Sequence, residues 1–138
     1  MLNSNDLTTA STDLSSPRQR RWAVVGVSDN REKFGNKIYR DLKEAGYDVY
    51  GVNPKLETIE GDTCYASLKD LPVKPDVVNV VVPPQVGPAV VAECLELGLK
   101  RIWFQPGAES EAAVAQARAG GMDVVHDACI MIQKQQWV

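Results

Sequence analysis

The sequence predicts an α/β domain with a doubly wound sheet of about five parallel strands and helices on both faces. Three observations carry this reading. From Trp22 onward, short β-branched runs alternate with segments of helical period, the pattern of repeated strand–helix–strand units. One run, Val77-Val78-Asn79-Val80-Val81-Val82, is almost continuously apolar, as expected of a strand covered on both faces. Glycines stand where each helical segment should stop.

Taken in order, residues 1–20 are rich in Ser, Thr, Asn and Asp, with Leu2, Leu7 and Leu14 as their large apolar side chains. They bury too little surface to offset the entropy of ordering and read as a disordered or extended tail, which leaves 21–138 as the folded domain. The basic run Arg18-Gln19-Arg20-Arg21 at that edge reads as a solvated boundary. The first strand is Trp22–Val27. Phe34, Ile38, Leu42 and Ala45 then form one apolar helix face, stopped by Gly46. Asp48–Val52 is the second strand, and Ser67–Leu71 a short helical turn before Pro72. Val77–Val82 is the third strand and reads as central. Val86, Val90, Cys94 and Leu97 make a second helix face, ended by Gly98. Arg101–Phe104 is the fourth strand. Glu109-Ser110-Glu111 supplies an N-cap and negative charge for a third helix, which Gly120-Gly121 ends before the last strand, Asp123–Val125.

Composition narrows the function. A chain of 138 residues with 44% hydrophobic content builds one core without a disulfide or metal staple. A formal charge of −3 argues against nucleic acid or a polyanionic membrane as partner, because both need a basic face to displace counterions. Cys64, Cys94 and Cys129 are odd in number and lack C-x-x-C spacing, so neither a disulfide framework nor a thiolate metal site is expected. No apolar run approaches the roughly 20 residues that span a bilayer, and the N-terminus has no signal-type apolar stretch. A cytoplasmic protein is the expectation.

In an open parallel sheet ligands bind beyond the carboxyl ends of the strands, so the residues just after each strand carry the information. Gly26-Val27-Ser28 follows the first, and the excursion ends at Phe34-Gly35 where the helix begins. A glycine admits close backbone approach, Ser28 offers a hydroxyl, and the helix start presents N–H groups to an anion. The same pattern equally serves a tight strand-to-helix connection. The dinucleotide fingerprint G-x-G-x-x-G is absent. After the second strand comes Asn53-Pro54-Lys55, with no acidic residue to accept ribose hydroxyls. Lys55 puts a cation where a ribose-attached phosphate of coenzyme A or NADP would lie, or is a solvated loop lysine. Val82-Pro83-Pro84 and Gln105-Pro106-Gly107 mark the next two strand ends and would leave a stiff apolar rim suited to adenine or a pantetheine arm, or simply punctuate loops.

In this order, with Asp127-Ala128-Cys129 at the end, these segments resemble the small stand-alone CoA-binding proteins of the succinyl-CoA synthetase-like CoA-binding family. The resemblance covers about residues 21–136, and the ordered set carries it. It implies a Rossmann-like fold and binding of coenzyme A or acyl-CoA, a small-molecule partner. Carried across by position, it implies that Ser28, Lys33, Phe34 and Gly35 meet the phosphates. Asn53 and Lys55 would meet the nucleotide end, and Phe104, Gln105 and Pro106 would supply the fourth-strand loop. The synthetase keeps its phosphorylated histidine in a following ligase domain that this chain lacks, so the resemblance implies binding without catalysis. Many small members read Asp-Arg-Cys near the C-terminus, where this chain has Ala128.

Two rivals stand beside this reading. One is an NADP- or nucleotide-dependent oxidoreductase fragment, against which the missing third glycine counts. The other is a regulatory module whose CoA site has decayed, which Ala128 favours. His126, Asp127 and Cys129 invite a cysteine-enzyme reading, but neighbouring side chains at a strand end alternate direction, and no catalytic set is assigned.

Overall fold

The computed structural model describes residues 21–127 together with Cys129 and Met131. The expectations for residues 1–20 and for Ala128 lie outside the described residues.

Seven strands form one sheet: β1 (Arg21–Val25), β2 (Asp48–Val52), β3 (Thr58–Ile59), β4 (Asp62–Tyr65), β5 (Val77–Val80), β6 (Arg101–Phe104) and β7 (Asp123–Val125). Their order is β3-β4-β2-β1-β5-β6-β7. All pairs are parallel except β3 with β4, a hairpin in which Thr58 faces Thr63 and Ile59 faces Asp62. Without β3, this is the order of the doubly wound dinucleotide folds, and it reverses direction between β1 and β5. Five of the strands are those expected from sequence, and β5 is the middle one of those five. The β3–β4 hairpin is the addition. Two expected strands end early: β1 stops at Val25 because Gly26 turns away at φ +105°, and β5 stops at Val80 ahead of Pro83.

Helices α1 (Phe34–Glu44), α2 (Gly87–Glu96) and α3 (Glu111–Ala119) cover the sheet. Strand alternation divides the core in two. Ala23, Val25, Val78, Val80, Ile102 and Phe104 pack with buried residues of α2 and α3 such as Val91, Cys94 and Ala117. Trp22, Val24, Val77, Trp103 and Val125 face the other way, against Ile38, Tyr39 and Leu42 of α1. Trp22 and Trp103 sit 6.0 Å apart between ring centroids, tilted as aromatic pairs prefer. Burial pushes the Cys94 thiol up to about 12, which makes it an inert core residue.

Two expected core positions lie outside. Phe34, the first residue of α1, is 63% exposed, and the face turns inward only at Gly35 and Ile38. Val86 is 40% exposed because a 3-10 turn over Pro84–Val86 precedes α2. Ser110 caps α3 as expected, its hydroxyl accepting from the Ala113 amide at 3.1 Å.

Candidate functional site

The reversal of strand order opens a cleft of about 250 Å³ at the carboxyl ends of the strands. Val25 of β1 with the following Gly26, Val52 of β2 with the following Asn53 and Pro54, and Ala66 and Ser67 after β4 form one wall. Val82 and Val86, with Ala89, Val90 and Glu93 of α2, form the other. The lining is mainly aliphatic, a surface suited to a flat apolar group.

Beside the cleft runs the loop from Gly26 to Lys33, and its carbonyls are tied down. Asn53 donates from Nδ2 to the Val27 carbonyl at 2.8 Å, and Asn36, fully buried on α1, donates to that of Ser28 at 2.8 Å. The Asn30 carbonyl accepts from the Lys33 amide at 3.0 Å, and that of Arg31 from Arg40 Nη2 at 2.9 Å. In a trans peptide the N–H points opposite to the C=O, so each anchored carbonyl turns the next amide away from its anchor. The amides of Ser28, Asp29 and Arg31, and those of Phe34 and Gly35 in the first turn of α1, have no acceptor among the described residues. Successive outward N–H groups that lead into a helix start form an anion-binding nest. Within the loop, the Ser28 hydroxyl accepts from the Asn30 amide at 3.0 Å and the Asn30 side chain from that of Glu32 at 3.0 Å, which fixes its curvature.

The two glycines of the loop are demanded by packing. A Cβ on Gly35 would collide with the Gly26 carbonyl oxygen, so α1 closes onto the β1 turn only without a side chain there. A Cβ on Gly26 would lie 3.0 Å from Val82 Cγ1 and 3.1 Å from the Val81 carbonyl carbon, at a φ that side chains rarely adopt. Gly26 thus lets β1 pass the end of β5, and its amide continues the ladder to the Val52 carbonyl at 3.0 Å.

The structure brings together much of the expected set. Gly26, Asn53, Pro54 and Val82 line the cleft, Ser28, Lys33, Phe34 and Gly35 border the nest, and exposed Lys55 follows Pro54. Pro83 is exposed just beyond Val82. Several play roles other than side-chain contact. Both ends of the Asn53 amide are engaged, since its oxygen accepts from the Lys55 amide at 2.8 Å. It braces one loop against another. The side chains of Val27 and Phe104 lie inside the core, 1% and 0% exposed, and neither residue lines the cleft. Gln105 is 4% exposed; its Oε1 accepts from buried Asn79 at 3.2 Å, and its Nε2 lies 3.3 Å from Cys129 Sγ. Pro106 and Gly107 are exposed, and the Gly107 amide donates to Glu109 at 3.1 Å.

Sequence reading passed over Ala66, Ser67, Ala89 and Glu93, which line the cleft, and Asn36, which shapes the nest. Asn36 carried no sign of this role in the sequence, because its neighbours at i+3, i+4 and i+7 are Tyr39, Arg40 and Lys43, and its burial arises only when the loop and the β3–β4 hairpin close over it. His126 and Cys129 take separate partners: His126 pairs with Asp127 at 2.7 Å and Cys129 with Gln105.

Comparison with known proteins gives a consistent family. A family model described as a CoA binding domain matches residues 20–135. The uncharacterized protein YneT of Bacillus subtilis is 32% identical over 115 residues, 83% of this chain and 85% of its own. The ADP-forming acetate–CoA ligase I of Archaeoglobus fulgidus is 40% identical over 72 residues, 52% of this chain but 10% of the ligase. Among solved structures, a conserved hypothetical protein from Pyrococcus furiosus superposes with a TM-score of 0.80 at 45% identity, covering 83% of this chain and 98% of that one.

Proposed function

Because this chain belongs to the CoA binding domain family, we propose that it binds coenzyme A or an acyl-CoA at the β1–β5 reversal and acts there as a binding protein. The observation that carries the proposal is the loop from Gly26 to Lys33, whose anchored carbonyls leave a row of amides for a diphosphate next to an aliphatic cleft. The ligand divides along those lines. Its diphosphate lies on the amides of Ser28, Asp29, Phe34 and Gly35, which hold a negative charge without needing a paired cation. Its adenine lies between Pro54 and Val82, and Lys55 reads the 3′-phosphate. The pantetheine arm runs toward Gln105-Pro106-Gly107.

An NADP role is the weaker reading, since the turn after β1 lacks the G-x-G-x-x-G fingerprint of dinucleotide sites, and the absence of a carboxylate after β2 counts against NAD. What supports binding without turnover is that Cys129 takes Gln105 as its partner and His126 takes Asp127, with no thiol–imidazole contact between the two among the described residues.

Calorimetric titration with CoA tests the proposal. One CoA per chain is expected, with no heat of binding from NAD. Absence of CoA binding by the folded protein would overturn it.

A further inference from the structure

The hairpin turn between β3 and β4 consists of Glu60 and Gly61, both with positive φ, +49° and +84°. Such a two-residue turn favours Asn, Asp or Gly at its first position, because an ordinary side chain crowds its own backbone in the left-handed region. Glutamate is a poor choice there by turn chemistry alone. Its side chain supplies the reason. Glu60 Oε2 accepts from Asn36 Nδ2 at 3.0 Å and lies 3.3 Å from Arg31 Nε. Both partners belong to the anion nest. Asn36 is the side chain that anchors the Ser28 carbonyl, and Arg31 is a residue of the loop itself.

The fixation is reciprocal. Asn36 gives one amide proton to Ser28 and the other to Glu60, while Arg40 Nε donates to Asn36 Oδ1 at 2.6 Å and Arg40 Nη2 holds the Arg31 carbonyl. With Glu60 in place, the buried carboxamide has a single satisfied orientation. Without it, Asn36 has a buried N–H lacking an acceptor and reason to rotate away from Ser28. Arg31 also loses the carboxylate that restrains it.

We infer that Glu60 is a positioning residue for the diphosphate loop, and that the β3–β4 hairpin is a strut that sets ligand affinity from outside the site. This rests on the CoA reading above. Placing a glutamate in a left-handed turn sets local turn stability against loop order, as strained positions retained near binding sites do.

The test compares the parent with Glu60→Asn and Glu60→Gln. Asparagine suits the turn but is one methylene too short to reach Asn36. Glutamine keeps the length and an acceptor oxygen. In Glu60→Asn the better turn residue offsets the orphaned Asn36 N–H, so it should melt close to the parent, yet bind CoA about tenfold more weakly and be cleaved faster by trypsin after Arg31 or Lys33 in the ligand-free state. Glu60→Gln should recover most of both properties. Equal CoA affinity and equal cleavage in parent and Glu60→Asn would overturn the inference. A melting temperature that falls together with affinity would also overturn it, since Glu60 would then merely hold the fold. If the parent does not bind CoA, the reading of the site falls, while the ligand-free cleavage comparison still decides the strut.

Discussion

At the scale of single residues, Gly35 and Lys55 separate packing from binding. Gly35→Ala would ordinarily stabilise a helix by about 1 kcal/mol, because alanine loses less backbone freedom on folding. Here the new Cβ meets the Gly26 carbonyl oxygen, so the sign reverses and a loss of ~1–3 kcal/mol is expected from overpacking, read from urea denaturation. Gly26 is too constrained to serve as a clean binding probe, given its φ and its distance to Val82. Lys55 is exposed and its side chain can be removed without repacking. If it reads the 3′-phosphate, Lys55→Ala weakens CoA by about 1 kcal/mol, up to about tenfold, and leaves 3′-dephospho-CoA nearly unchanged. The loss shrinks as salt rises. Equal weakening of both ligands, measured by titration, would remove Lys55 from the nucleotide end. Gly26 and Lys55 were legible because they stand in the turns just after strands, and Gly35 because it stands at the start of the first helix. The use of Asn53 as a brace was not, since residue type alone does not say which partner an amide takes.

At the scale of elements, the hairpin is what the sequence concealed, and the reason is physical. Thr58–Ile59 is two residues long, β4 buries only Cys64, and Glu60 stands where Asn or Asp would have announced the turn. Besides the β2–β4 ladder and buried Ile59, side-chain chemistry from α1 holds the hairpin. The Tyr39 hydroxyl donates to Asp62 at 2.7 Å and Lys43 Nζ lies 2.9 Å from the same carboxylate. The Tyr39 hydrogen bond and then Lys43 hold the Asp62 carboxyl below its usual range, while burial and the Asp62 bond push the Tyr39 phenol up. A carboxyl with a depressed folded-state pKa stabilises the fold above its unfolded value, and that contribution fades as pH falls through the folded-state value. Asp62→Asn should therefore melt a few degrees below the parent at pH 7, and the gap should close as pH drops below about 4. Melting curves across that range check it. A gap independent of pH would mean that the carboxylate charge is not what ties the hairpin to α1.

At the scale of the whole molecule, the parallel strands, the alternating helices and the position of the cleft all followed from periodicity and from what stands after each strand. The strand order places the ends of β1 and β5 side by side, and the family match agrees with that topology. Two segments that bring residues to the cleft, the stretch just after β4 and the 3-10 turn before α2, are short and weakly periodic, which is why Ala66, Ser67 and Val86 emerged as its lining only in three dimensions. Whether the β1–β5 reversal is a coenzyme A site is decided by thermal melting at matched concentrations of CoA and NADP. A ligand that binds only the folded chain stabilises it by about 2.7 kcal/mol at a hundredfold excess over Kd, roughly 10 °C in Tm for a domain of this size. A rise of that order is expected with CoA and little or none with NADP. An equal or larger rise with NADP, or none with CoA, would contradict a coenzyme A site there.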